Sequence, residues 1–97
     1  MEGVPVDKIE LIKNGQKYIM LCDDEDFGQL SSMKIFIGGD GYAVTRIDGK
    51  IIRINRMLLN IYDANIIIDH INRNILDNRK ENLRISNKQL NGYNENR

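Results

Sequence analysis

The sequence predicts an α+β fold: a small N-terminal antiparallel sheet followed by a strand–loop–strand–helix unit. Three observations carry this. Short β-rich runs separated by Gly38-Gly39-Asp40-Gly41 and by Asp48-Gly49 announce hairpins, because the favoured two-residue turn needs positive φ at both central residues. Ile66-Ile67-Ile68 is a buried-strand run that breaks at Asp69-His70 and gives way to a polar loop. Ser86 is suited to N-cap a final helix running through Asn91 toward Arg97. A chain of 97 residues has room for one compact domain with a modest core. Residues 1–97 are therefore expected to form a single domain, with the sheet and short helices in 1–65 and the second unit in 66–97.

The elements follow in order. Gln16–Cys22 reads as a strand, rich in β-forming side chains. Asp23-Asp24-Glu25-Asp26, followed by Phe27 and Leu30, reads as a short helix with acids at its favourable N-terminal end. Those four acids lack the alternating oxygen-ligand spacing of a calcium loop. Strands are expected at Lys34–Ile37, Tyr42–Ile47 and Lys50–Asn55, giving a sheet of three or four strands. The glycine run between the first two has neither a following helix nor the Lys-Ser/Thr of a phosphate loop, so it is a turn. Arg56–Tyr62 suits a short helix packing Met57, Leu58 and Ile61 onto the sheet. A polar loop spans Asn72–Glu81, and Leu83-Arg84-Ile85 is a second short strand with Arg84 turned away from its apolar neighbours.

Composition narrows the function classes. No run of about 18 apolar residues occurs, so a membrane span is not expected. Met1–Lys8 has neither the basic start nor the apolar stretch of a secretory signal. Cys22 is the only cysteine, which excludes an internal disulfide and points to a reducing cytoplasm, in a bacterium or a phage-infected host. One cysteine and one histidine cannot build a closed zinc site, so any metal must be held by oxygen or in a mixed, open site. The net charge is zero but unevenly spread. Residues 1–45 hold four lysines against eight acids, and residues 46–97 hold ten Lys and Arg against six acids. The second half is the part suited to meeting phosphates. Twelve asparagines reflect compositional bias, so only position can give one of them meaning.

Ile68-Asp69-His70-Ile71-Asn72 through Asp77-Asn78-Arg79-Lys80-Glu81-Asn82-Leu83-Arg84 resembles the HNH endonuclease family, most closely its phage and intron-encoded homing branch. Asn82 lies twelve residues after His70, and Asn91 nine after Asn82. The upstream GYAVTRIDGKIIRINRMLL is similar to the stretch that precedes the motif in that branch. The resemblance implies a ββα-metal unit that hydrolyses phosphodiesters of double-stranded DNA with one divalent cation, magnesium or manganese. It implies that Asp69 and Asn91 hold the metal, which relieves charge on the leaving 3′-oxygen. It also implies that the Asn82 side chain pins the loop carrying His70.

The residue types suit that chemistry. An imidazole with a pKa near 6.5 can take a proton from water around neutral pH, which qualifies His70 as the base. A carboxylate and an amide oxygen, with other positions left to water and phosphate, suit a hard cation. Arg73, Arg79, Lys80, Arg84 and Lys88 are candidate DNA backbone contacts, and Arg84, fixed on a strand near His70, is the favoured one. Neighbours on a strand point to opposite faces, so Asp69 and His70 are expected at the strand's end, with metal and phosphate between them.

Some features depart from the family. Asn55-Arg56 stands where relatives often carry a second histidine, which leaves His70 alone. Homing relatives usually continue into separate DNA-reading modules, and none is evident here. The rival expectations are a catalytically inert DNA-binding domain and a phage packaging-associated HNH nuclease. The packaging type often carries paired Cys-x-x-Cys sites, which a single Cys22 does not supply.

Overall fold

The computed structural model describes residues 6–87. Strands β1 (Val6–Lys13) and β2 (Gln16–Asp23) form an antiparallel hairpin, in register Ile9↔Met20 and Leu11↔Tyr18. Alternation sends Leu11, Met20 and Cys22 into the core while Lys8, Glu10, Ile12 and Lys17 stay exposed. β1 precedes the first strand expected from the sequence. Its signal is Asn14-Gly15, whose φ values of 53° and 79° make the tight turn between the strands. Helix α1 (Asp24–Ser31) carries its acids in the first turn, as expected, and buries Leu30 and Asp26.

Strands β3 (Ile35–Ile37), β4 (Ala43–Ile47) and β5 (Lys50–Arg53) form an antiparallel meander in the order β3-β4-β5. Asp48 and Gly49, at φ 51° and 80°, turn β4 into β5. The single N-terminal sheet of three or four strands is thus replaced by two sheets, of two and three strands. The reason is local: α1 follows β2 directly, and the free edge of β2 is taken by a later segment. Helix α2 (Ile54–Leu59) starts two residues earlier than expected, because fully buried Ile54 anchors it in the core. It ends at Asn60, in the left-handed region at φ 57°. Met57 and Leu58 pack against the core as expected, whereas Ile61 lies past the helix end. The Arg56 guanidinium reaches back to the carbonyls of Ile61, Asp63 and Ile66 at 3.3, 3.2 and 2.7 Å, tying the run that follows α2 to the helix.

A third, two-stranded sheet pairs β6 (Ile66–His70) with β7 (Leu83–Asn87), in register Asp69↔Arg84 and His70↔Leu83. A 3-10 turn at Lys80–Asn82 leads into β7. Ser86 belongs to β7, opposite Ile67, and does not N-cap a helix there. The final helix expected toward Arg97 falls beyond Asn87 and lies outside the described residues. The structure is therefore mixed and strand-rich, with small sheets and short helices.

The core gathers Leu11, Met20, Cys22, Leu30, Ile37, Ala43 and Ile54, with Tyr18, Phe27 and Leu76 packed against it. Each such large side chain contributes about 1.5–3 kcal/mol by leaving water. Leu76 comes from the loop between β6 and β7, so that loop is anchored to the N-terminal half. The backbone reinforces the anchor. Leu21 N–H donates to Leu76 O at 2.9 Å, and Asn78 N–H donates to Leu21 O at 2.8 Å, a parallel bridge along the free edge of β2. Among the described residues no helix is long and apolar enough to cross a membrane.

Candidate active site

The end of β6 places the only histidine. Alternation along the strand holds to its last residue: Ile68 and His70 turn inward, at 8% exposure each, while the Asp69 side chain stays 43% exposed. The His70 Nε2 lies 3.0 Å from Asn78 Oδ1. A carbonyl oxygen can only accept, so with this amide orientation Nε2 carries the proton and Nδ1 keeps a lone pair. That is the tautomer a general base needs. Beside the imidazole stands the Tyr42 ring, its centroid 6.0 Å away and tilted by 49°. The Arg53 guanidinium covers the Tyr42 ring at 3.7 Å and bonds Asp40 Oδ2 at 2.6 Å. Tyr42 N–H donates to the other Asp40 oxygen, and these bonds hold the Asp40 carboxyl below the usual carboxylate range.

The Asn78 backbone is held by its N–H bond to Leu21 O at 2.8 Å, and a dense polar network lies beside it in the loop. Buried Asn82 accepts from Asn72 N–H at 3.0 Å, and its amide donates to Asn72 Oδ1 at 3.0 Å and Asp77 O at 2.9 Å. Its backbone carbonyl also accepts from Ile71 N–H. Asn82 therefore closes residues 71–77 against the start of β7, and among the described residues its side-chain hydrogen bonds go to the loop, not to the imidazole. Asp77, 1% exposed, receives Arg79 Nε at Oδ1 and Arg79 Nη2 at Oδ2, each at 2.7 Å, and Asn72 Nδ2 at Oδ2, also at 2.7 Å. The forked guanidinium holds the Asp77 carboxyl below its ordinary value despite burial. Arg79 turns its remaining arm to Glu81 at 2.7 Å.

The cations named from the sequence fall into three groups. Arg79 is engaged by Asp77 and Glu81. Lys80 donates its backbone N–H to Asp23 and its ammonium to Glu25 and Asp26, at 3.1 and 3.2 Å, which clamps the loop to α1. Asp23, Glu25 and Asp26 bring carboxylate oxygens within 4.8 Å of one another, and the Lys80 ammonium supplies positive charge to two of the three. Arg84, 63% exposed, stands across from Asp69 with a nitrogen 3.7 Å from its carboxylate. Arg73 is exposed on the loop at φ 66°. Lys88 and the metal candidate Asn91 lie outside the described residues.

Residues 60–93 match the family model described as HNH endonuclease. Through this segment the chain is similar to the HNH family. The match takes in β6, the loop, β7 and residues beyond, a little over a third of the chain. No curated protein and no solved structure matches the chain. The match suggests a nuclease acting on nucleic acid, and HNH nucleases generally use a divalent metal. Of the sequence-derived candidates, the structure brings His70, Asn82 and Arg79 into or beside one network, with Asp69 and Arg84 paired on the outer face of the same hairpin. Asn78 and Asp77 are the residues that sequence reasoning left without roles. Their signal was placement inside the HNH loop. Asp40, Tyr42 and Arg53 lie outside the HNH match, and only folding brings them beside His70.

Proposed function

We propose that the chain is a metal-dependent DNA endonuclease in which His70 Nδ1 takes the proton from the attacking water. The observation that supports this best is the imidazole at the end of β6, inside the HNH segment, with Nε2 committed to Asn78. Binding one nitrogen leaves the other as the base and fixes the ring plane. Asn78 is then a positioning residue for the imidazole, and Asn82 a positioning residue for the loop. Arg84 and Arg73 are proposed as DNA backbone contacts, with Lys88 beyond the described residues. Arg79 and Lys80 are given a structural role instead, because carboxylates already hold their charges.

The half-exposed Asp69 carboxylate fits a hard divalent cation, magnesium or manganese, and Asn91 is proposed as its second protein ligand. When bound, the metal supplies charge stabilisation at the leaving oxygen. Double-stranded DNA as substrate and a homing-type origin rest on the resemblance of the motif. A single working domain is supported by the bonds from the loop to Leu21 and Asp23.

The test is nicking of supercoiled plasmid at low salt with magnesium, manganese or chelator, comparing the parent with Asp69→Ala. The expected outcome is cleavage that needs the metal and falls at least about a hundredfold in the variant. No cleavage with any metal, alongside a salt-sensitive gel shift, would instead favour an inert DNA-binding domain.

A further inference from the structure

We propose that the cleft beside His70 seats the phosphates of the DNA strand flanking the cleaved bond, with Lys13 and Arg73 as its contacts. The inference rests on the nuclease reading and names where the substrate lies. The cleft encloses about 580 Å³ between the Asn14–Gln16 turn, the Gly39–Gly41 turn and residues Arg73–Leu76. Both of its outer walls lead to the imidazole. Arg73 N–H donates to His70 O at 2.9 Å, and Gly41 is followed at once by Tyr42, whose ring stands beside His70. The walls also meet each other, since a Cβ on Gly41 would lie 3.2 Å from Ile75 Cδ1.

Charge selects the occupant. The whole chain has no net charge, yet this cleft is lined by Lys13 and Arg73 and by one carboxylate, Asp40, whose charge Arg53 already meets at 2.6 Å. Among the described residues Lys13 donates once, to Gly38 O at 2.9 Å, and an ammonium has two further donors. Arg73 has no carboxylate within ion-pair distance among the described residues. Its backbone adds a second, independent signal. The other positive-φ residues with side chains are Asn14, Asp48 and Asn60, types that tolerate the left-handed region; Arg73 sits there at φ 66°. Backbone outliers of this kind cluster at functional sites, and Arg73 lines the cleft. Tyr18 also lines the cleft.

The experiment uses two glycines at which an added Cβ meets nothing within 4 Å: Gly39, which lines the cleft, and Gly28, on α1 away from it. Gly39→Glu, Gly39→Lys, Gly28→Glu and Gly28→Lys are compared by anisotropy of a labelled DNA duplex in chelator, across a salt series. Melting curves confirm that each variant is folded. Gly39→Glu is expected to weaken binding by about fivefold more than Gly28→Glu, with Gly39→Lys moving the other way. Arg73→Gln should lower the slope of log affinity against log salt by about one. Equal effects at Gly39 and Gly28 in a protein that still cuts plasmid would overturn the cleft and leave the nuclease reading standing. A folded parent that neither binds nor cuts DNA would overturn both.

Discussion

At the scale of residues, the chemistry turns on one hydrogen bond. Asn78 fixes which nitrogen of His70 is free, so changing its charge should change the titration of the base. Asn78→Asp places a carboxylate 3.0 Å from Nε2 and favours the imidazolium. The pH–rate profile for plasmid nicking is expected to shift its acidic limb to higher pH, with folding retained; an unchanged profile would remove Asn78 from the site. Asp77 gives a different prediction. Its folded pKa is lowered from an ordinary value of 3.8, first by the Arg79 hydrogen bonds, so its stabilisation is present above that value. It is lost as pH falls through the lower folded value. Acid unfolding should therefore steepen below about pH 4 in the parent and be flatter in Asp77→Asn, which is also destabilised at neutral pH by about 3 kcal/mol. Equilibrium melts across pH would check both. Cys22 takes no part: burial, then the acids around it, push its thiol up to about 11.

At the scale of elements, the loop between β6 and β7 depends on the N-terminal hairpin and on α1. The Lys80 clamp is testable because a DNA contact and a structural clamp differ in their effects. Lys80→Met should lower the melting temperature and the nicking rate, while the salt slope of DNA binding stays that of the parent. A slope reduced by about one, with unchanged stability, would restore Lys80 as a phosphate contact. Much of this level was legible beforehand. The β4–β5 hairpin was marked by Asp48-Gly49, the acid-led helix by residues 23–30, and β6 and β7 by their apolar runs. Two errors have physical causes. β1 was missed because Asp7, Lys8, Glu10 and Lys13 dilute its apolar residues, although Asn14-Gly15 marked the turn. The start of α2 was misplaced because Ile54-Asn55 continues a β-like run and is drawn into the helix by burial of Ile54.

At the scale of the whole molecule, the two halves have opposite charge and one purpose. The acidic half supplies most of the core and the β2 edge, and the basic half supplies the HNH hairpin. His70, Asp69 and Asn82 were named from the sequence because the motif fixes their spacing. Asp40 and Arg53 could not be, because 30 and 17 residues separate them from His70 and only the meander brings them near. The same long-range packing sets Asn78 against Leu21. The most direct measurement of the central claim is the nicking rate of His70→Ala on supercoiled plasmid with magnesium, beside its DNA affinity and melting curve. If His70 is the base, cleavage falls by at least about a hundredfold while binding and folding stay near the parent's. A folded His70→Ala protein that cuts as fast as the parent would contradict it.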